Sequence, residues 1–324
     1  MPPTQRLFSN PKWVALGCAV GAVGLGLAYL VAAGAPLWYL AVNVGALVVG
    51  IGLAGLHRAL FRSGRSGGVW GTLALGALLL ATTLFGVTAE GATRWISIAG
   101  FSLQPSLILI PLMLVAFARS RSGWSALGVV LACIAVALQP DRGMAGALLA
   151  GLLALALLER DRWVLIALTA SVGGFAATLL QVDTQGAMPF VDQIFFTAFD
   201  VHPLAGLAVL GGAALLLAPS LFGSPGDARG RRGPIVFGAT WLGVIVAAAV
   251  ANHPTPLVGY GGSAIIGYVL SAFALSPAAA HPVADGNVLR SGAARGGRED
   301  GGAARFRGRL RGGGLAMSRV VAEG

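Results

Sequence analysis

GATRWISIAGFSLQPS, residues 91–106, lies between two apolar runs. The insert is too polar to cross a bilayer and too apolar to be an ordinary solvated loop. Trp95, Ile96, Ile98 and Phe101 suit a membrane–water interface, where amphipathic rings are favoured. Gln104-Pro105-Ser106 opens the next apolar run, and proline is well tolerated in a first helical turn because its missing N–H costs nothing there. Arg94 is expected to pair with an acid such as Glu90 or Asp141, or to face an anionic substrate group.

Outward from this insert the chain reads as lipid-embedded. It has 324 residues, 56% hydrophobic and only 10% charged, with a mean hydropathy of +0.81. A soluble domain carries about 25% charged residues. The 49 glycines suit closely packed membrane helices. Cys18 and Cys133 both fall inside apolar runs and suggest neither a disulfide nor a metal site.

A membrane span needs about 20 mostly apolar residues. Ten are expected, over 13–34, 37–56, 69–89, 104–118, 124–139, 143–158, 162–181, 203–222, 234–252 and 258–278. The fourth to sixth are short, and merging them would leave nine. The first span follows Arg6 and Lys12 and is too long for a signal-peptide core, so it is read as retained. The expected fold is therefore an all-α integral membrane protein. Residues 1–12 form a cytoplasmic N-terminus, 13–281 a polytopic domain, and 282–324 a basic, disordered tail.

Arginine and lysine set the orientation. Arg58, Arg62, Arg65, Arg119, Arg121, Arg160, Arg162, Arg229, Arg231, Arg232 and the eight tail arginines all fall on one side of a ten-span chain. That side is cytoplasmic, with both termini inside. Because these residues alternate with spans, the net charge of +10 speaks for topology and not for nucleic acid. Arg94 and Arg142 fall outside, with Glu90, Asp141, Asp183, Asp192 and Asp200. An outer arginine works against topology, which favours a function for it. His202, His253 and His281 each precede a proline, show no metal spacing, and are read as loop residues.

Four outer segments carry a family resemblance. GATRWISIAGFSLQPS resembles the G-A-x-R-W-I-x-x-G-x-F-x-x-Q-P-S-E segment of the SEDS family, the shape, elongation, division and sporulation proteins of the FtsW/RodA group. LQPDRGMAGALL (138–149) resembles its Q-P-D-x-G-T segment. VDQIFFTAFD (191–200) resembles H-T-D-F-I-F-x-x-x-x-E, and PTPLVGYGGSAII (254–266) resembles P-L-P-F-I-S-Y-G-G-S-S. The four occur in the family's order, and the likeness covers residues 13–278.

The resemblance implies polymerisation of lipid II, a disaccharide-peptide on undecaprenyl pyrophosphate, into glycan strands for cell elongation or division. The place of action would be the outer face of a bacterial cytoplasmic membrane. It also implies a class B penicillin-binding protein as partner. Such a reaction calls for a carboxylate base, cations at the leaving diphosphate, and a groove for lipid tails. Asp192 falls on the family's essential aspartate and is the expected base, or else a ligand to a divalent cation near the diphosphate. Asp141 and Arg142, beside Gln139 and Pro140, open the sixth span and are expected to help build the outer cavity; the helix dipole also favours an aspartate there. Arg94, Gln104, Ser106, Tyr260 and Ser263 are further candidate substrate contacts, and the Gly261-Gly262 pair permits a broken or closely packed helix start. Were 192–200 helical, Asp200 would share a face with Asp192; a helix-capping or surface role fits it equally.

The chain departs from the family at Leu107 (glutamate), Met144 (threonine), Phe190-Val191 (histidine-threonine) and Leu257-Val258-Gly259 (phenylalanine-isoleucine-serine). Its loop over 182–202 is also short. These departures keep open a non-catalytic scaffold that recruits cell-wall synthases. A precursor flippase or transporter is the other alternative, although the spans are nearly bare of charge at their centres.

Overall fold

The computed structural model describes residues 11–60, 66–89, 92–98, 100–181, 186–221 and 228–275. Arg6, Arg62, Arg65, Glu90, Asp183, His281 and the tail from 282 lie outside these, as do the side chains of Arg58 and Arg229. The chain opens with helices α1 (Pro11–Ala32), α2 (Leu37–Leu60) and α3 (Ser66–Phe85). Three short strands follow: β1 (Val87–Ala89), β2 (Ala92–Ile98) and β3 (Phe101–Leu103). Next come α4 (Pro105–Arg119), α5 (Gly123–Leu138), α6 (Arg142–Leu158) and α7 (Arg162–Leu179). The short α8 (Ile194–Val201) precedes α9 (Pro203–Leu221), α10 (Ala228–Val250) and α11 (Gly262–Phe273).

Apart from α8, these helices occupy the ten expected apolar runs. Among the described residues, five stretches are long and apolar enough to cross a membrane: Lys12–Ala32, Leu37–Leu56, Arg162–Leu179, Pro203–Leu221 and Gly230–Val250. Five more are apolar but shorter, down to the twelve residues of α11.

Local chemistry fixes the helix starts. Ser122 and Ser125 form a capping box at α5. Asp161 caps α7 by accepting from the N–H groups of Trp163 and Val164. Asp141 caps α6 by accepting from Met144 N at 3.2 Å.

The unanticipated element is the sheet. Residues 87–103 form an antiparallel β1-β2-β3 meander, with Ser97 opposite Ser102 and Ile98 opposite Phe101. The turn takes Gly100 at φ 83°, a left-handed conformation that glycine adopts without strain. The insert is thus an interfacial β-arm, and Ile98 and Phe101 at its tip are exposed.

Helices α4 and α11 run through the core, and α10 packs on α6, α3 on α5, α9 on α1. Two glycines set the closest approaches. A Cβ on Gly267 of α11 would lie 2.0 Å from the carbonyl oxygen of Leu107, and one on Gly76 of α3 would lie 2.0 Å from that of Gly128 in α5. Such small-residue contacts let membrane helices touch backbone to backbone. Trp241, Phe237 and Tyr268 fill the centre, Trp241 and Tyr268 edge to face at 5.1 Å. The outside of the bundle is apolar, with Leu37, Phe85, Leu180 and Leu221 all more than 80% exposed. Lipid is the solvent that such a surface fits.

One end of the bundle gathers the basic loops. Arg121 pairs with Glu159 and Asp161, and Arg232 pairs with Glu159. Burial pushes the Asp161 carboxyl up, but the Val164 N–H, the Arg121 guanidinium and the Trp163 N–H outweigh it and hold that carboxyl below its ordinary value. Since α4 runs from Gln104 to Arg119, the β-arm stands at the opposite end.

Candidate functional site

At that opposite end Asp141 is fully buried and saturated with hydrogen bonds. Its Oδ2 accepts from Ser106 Oγ at 2.7 Å and from Gln104 Nε2 at 3.0 Å, while Oδ1 accepts from Met144 N. Gln104 Nε2 also donates to Ser106 Oγ, and Gln104 N donates to Ser263 Oγ at 2.9 Å. One polar cluster therefore ties the starts of α4, α6 and α11 together. Gln104, Ser106, Asp141 and Ser263, singled out as substrate contacts, satisfy one another here. Their side chains hold the frame of this end of the bundle.

The two outer arginines also bond to the frame. Arg94 is buried; its Nε donates to Gln139 O at 3.2 Å and its Nη2 to Pro140 O. The arm is thereby pinned to the carbonyls that end α5, where a cation meets the negative pole of a helix. Arg142 Nη2 donates to Gln181 O at 2.9 Å and to Thr178 O, so it covers the end of α7 in the same way. Of the partners expected for Arg94 (Glu90, Asp141 or an anionic substrate group), Glu90 lies outside the described residues; two of the arginine's donors are committed to main-chain carbonyls.

Asp192 sits differently. It is nine-tenths buried, in the loop before α8. Its Oδ2 accepts from Met188 N at 2.9 Å, and its buried Oδ1 has no hydrogen-bond partner. Burial pushes the carboxyl above its ordinary value, and the single bond from Met188 only partly offsets that. A carboxylate with one oxygen held and the other open is poised to take a proton or bind a cation. Asp200 does not join it. Helix α8 begins at Ile194, after Asp192, and Asp200 is exposed upon it, so the shared helical face does not exist.

The Asp192 loop crosses the segment that precedes α11. Thr255 N donates to Val191 O at 2.9 Å and Tyr260 N to Phe190 O at 2.7 Å. Gly259 sits tightly here: a Cβ would lie 2.6 Å from the end of the Ile194 side chain and 3.1 and 3.2 Å from the carbonyl oxygens of Thr255 and Phe190. Phe190, Gln193 and Leu257 take left-handed backbone at this crossing. Each such position costs on the order of 1–3 kcal/mol and persists where its surroundings over-determine it. His253, expected as an ordinary loop residue, is buried, and its ring packs where a Cβ on Gly143 of α6 would fall. It joins the crossing to the Asp141 cluster.

Asn43, which the sequence reading passed over as one polar residue in an apolar run, holds the other side. Its Nδ2 donates to Gly259 O at 2.8 Å and its Oδ1 accepts from Gly261 N at 3.1 Å. A lone buried amide in a membrane span is itself a signal, because it needs partners there. Tyr260 stacks on Tyr39 at 3.8 Å with Trp38 edge-on at 5.3 Å. It belongs to an aromatic rim over the crossing.

An apolar cavity of about 260 Å³ opens beneath the arm, between Leu78, Ala81, Thr82 and Phe85 of α3, Ile96 and Leu103 of the arm, and Pro105, Ile108 and Leu109 of α4. Leu78 and Phe85 are exposed on the outside of the bundle, so the groove faces the lipid side.

Residues 68–188 match the family model described as cell cycle protein, that of FtsW, RodA and SpoVE. The fold matches that of rod shape determining protein RodA from Thermus thermophilus, with a TM-score of 0.58 and 25% identity over 81% of this chain and 94% of that one. The chain is thus similar to the FtsW/RodA group, in sequence over residues 68–188 and in fold over most of its length. It is a multi-pass membrane protein of the bacterial cytoplasmic membrane. A probable peptidoglycan glycosyltransferase FtsW from Caulobacter vibrioides is 42% identical over 78 residues. That match covers 21% of this chain and about a fifth of the FtsW relative's length, 20%. A chain from a peptidoglycan synthase complex, solved for the coordination of polymerisation and crosslinking, has a similar fold at 23% identity and TM-score 0.56, over 81% of this chain and 96% of that one. The family model spans the Arg94 and Asp141 segments and ends before Asp192.

Proposed function

We propose that this protein is a SEDS-type glycosyltransferase that polymerises lipid II at the outer face of the membrane, in cell elongation or division. The observation that carries the reading is Asp192, a buried carboxylate with a raised proton affinity and one open oxygen. It lies at the same end of the bundle as an apolar groove open to lipid.

In this mechanism Asp192 Oδ1 accepts the proton of the acceptor hydroxyl as that oxygen attacks the donor's anomeric carbon. The bond from that carbon to the diphosphate oxygen breaks, and its electron pair leaves on the diphosphate. The prenyl chain rests in the groove under the arm, and the aromatic rim of Trp38, Tyr39 and Tyr260 borders the sugar side. Among the described residues no three His, Cys, Asp or Glu side chains gather at one point. In the alternative role, Asp192 would instead be the residue that holds a divalent cation near the diphosphate. Bound there it would neutralise the leaving group. A class B penicillin-binding protein, as crosslinking partner, completes the reading. The relative solved within a peptidoglycan synthase complex supports it.

The test is a gel assay of glycan strands made from lipid II by the purified chain and by Asp192→Ala, with and without a class B penicillin-binding protein. Long strands from the parent alone are expected. If both proteins are folded and partnered and neither makes strands, the scaffold reading takes over. The feature that favours a scaffold is Leu107, buried and apolar where the family motif has glutamate.

A further inference from the structure

Thr255 buries a hydroxyl that the fold does not use. The residue is 3% exposed and its Oγ1 has no hydrogen-bond partner. Such a group loses water and gains nothing, whereas a side chain of the same shape without the hydroxyl would be free of that cost. The family segment quoted above has leucine at this place, so an apolar residue suits the backbone. The Thr255 main chain is bonded to Val191, the residue before Asp192. The open Oδ1 of Asp192 and the open Oγ1 of Thr255 thus belong to two segments hydrogen-bonded side by side, and they do not bond each other.

We propose that Thr255 is the second protein contact to the acceptor hydroxyl of the glycosyl transfer. This rests on the glycosyltransferase reading. Thr255 Oγ donates its hydrogen to a lone pair of the acceptor oxygen and turns the acceptor's own hydrogen toward Asp192. The acceptor O–H bond then breaks toward Asp192 Oδ1. Its electron pair forms the bond to the anomeric carbon, and the diphosphate departs with the pair of the bond it loses. A hydroxyl, both donor and acceptor, can do this, and a leucine cannot.

The experiment compares the full-length chain with Thr255→Val and Thr255→Ser. Initial rates of strand formation are measured against lipid II concentration, and melting temperature is measured in detergent. Thr255→Val is expected to lower kcat by about 10- to 100-fold, the scale of a misplaced reacting group, with KM little changed. It should also melt roughly 2–4 °C higher, because an orphaned hydroxyl is gone. Thr255→Ser should restore most of the rate. A Thr255→Val protein that polymerises at the parental rate overturns the inference and leaves the glycosyltransferase reading standing. A slower variant that also melts lower overturns it too, since the hydroxyl would then be structural. A folded, partnered parent that makes no strands overturns both.

Discussion

Ser106 Oγ lies 2.7 Å from Asp141 Oδ2, and that bond joins the first turn of α4 to the first turn of α6. Two buried groups that satisfy each other in a water-poor setting are strongly coupled.

Replacing Asp141 with alanine would remove the acceptor of three buried donors, one hydrogen each on Gln104 Nε2, Ser106 Oγ and Met144 N, leaving only the Gln104–Ser106 bond. Leaving a buried donor unsatisfied costs about 1–3 kcal/mol, so the expected loss for Asp141→Ala is at least about 3 kcal/mol. Asp141→Asn keeps one acceptor oxygen and should lose less. Thermal unfolding in detergent gives the comparison. An alanine variant as stable as the parent would show that the cluster does not hold the frame.

Asp192 gives the opposite sign. Its folded carboxyl binds a proton more tightly than the unfolded chain does, because burial penalises the charge. The stabilisation from that proton is fully present below the ordinary value, about 3.9, and is lost as pH rises through the raised one. At neutral pH the native state carries a buried charge at a cost. Asp192→Asn should therefore melt higher than the parent at neutral pH, and the difference should close in acid. Strand formation by the parent should rise with pH through the raised value and be absent in the variant. Equal melting at neutral pH would remove the strain assigned to Asp192.

Arg94 is a test of the arm. Its fork reaches two successive carbonyls, Gln139 and Pro140, which the single ammonium of lysine cannot match. Arg94→Lys should cost about 1–3 kcal/mol. It should also speed hydrogen exchange in β2 while leaving α10 unchanged. Unaltered exchange over residues 92–98 would mean the arm is held by its strand pairing alone.

Gly267→Ala should be poorly tolerated, because its Cβ would meet the Leu107 carbonyl at 2.0 Å and neither backbone can give way cheaply. Forcing α4 and α11 apart costs about 1–3 kcal/mol or more. Gly55, whose Cβ would meet nothing within 4 Å, is the control and should accept alanine without loss. Melting temperatures of the two variants decide it.

The helical frame was readable because apolar runs of membrane length are written plainly in the residues, and the cap at Asp141 follows from its place before a run. The β-arm was not, since residues 87–103 mix rings, small residues and one arginine without strict alternation, and their pairing partners are one another. The placing of Arg94 was hidden for a related reason. Its charge was visible, but the carbonyls that take it sit 45 and 46 residues away. Asn43 and Thr255 acquire meaning only from contacts across the fold, 216 residues away for the amide and 64 for the main chain of the threonine. Asp192 was found by resemblance, and its open oxygen became visible only with the packing around it.

Helix α11 has twelve residues, which span about 18 Å against a hydrocarbon core of about 30 Å. The stretch before it is irregular yet buried, with His253, Thr255, Leu257 and Val258 all closed off. Non-helical backbone at that depth is tolerated because protein surrounds it. The buried stretch and α11 together therefore form this flank, and the Asp192 loop is hydrogen-bonded to its irregular part. Under the proposed function, acyl-chain length in the host membrane would then bear on the reaction, because a short helix leaves hydrophobic mismatch for the surrounding lipid to take up.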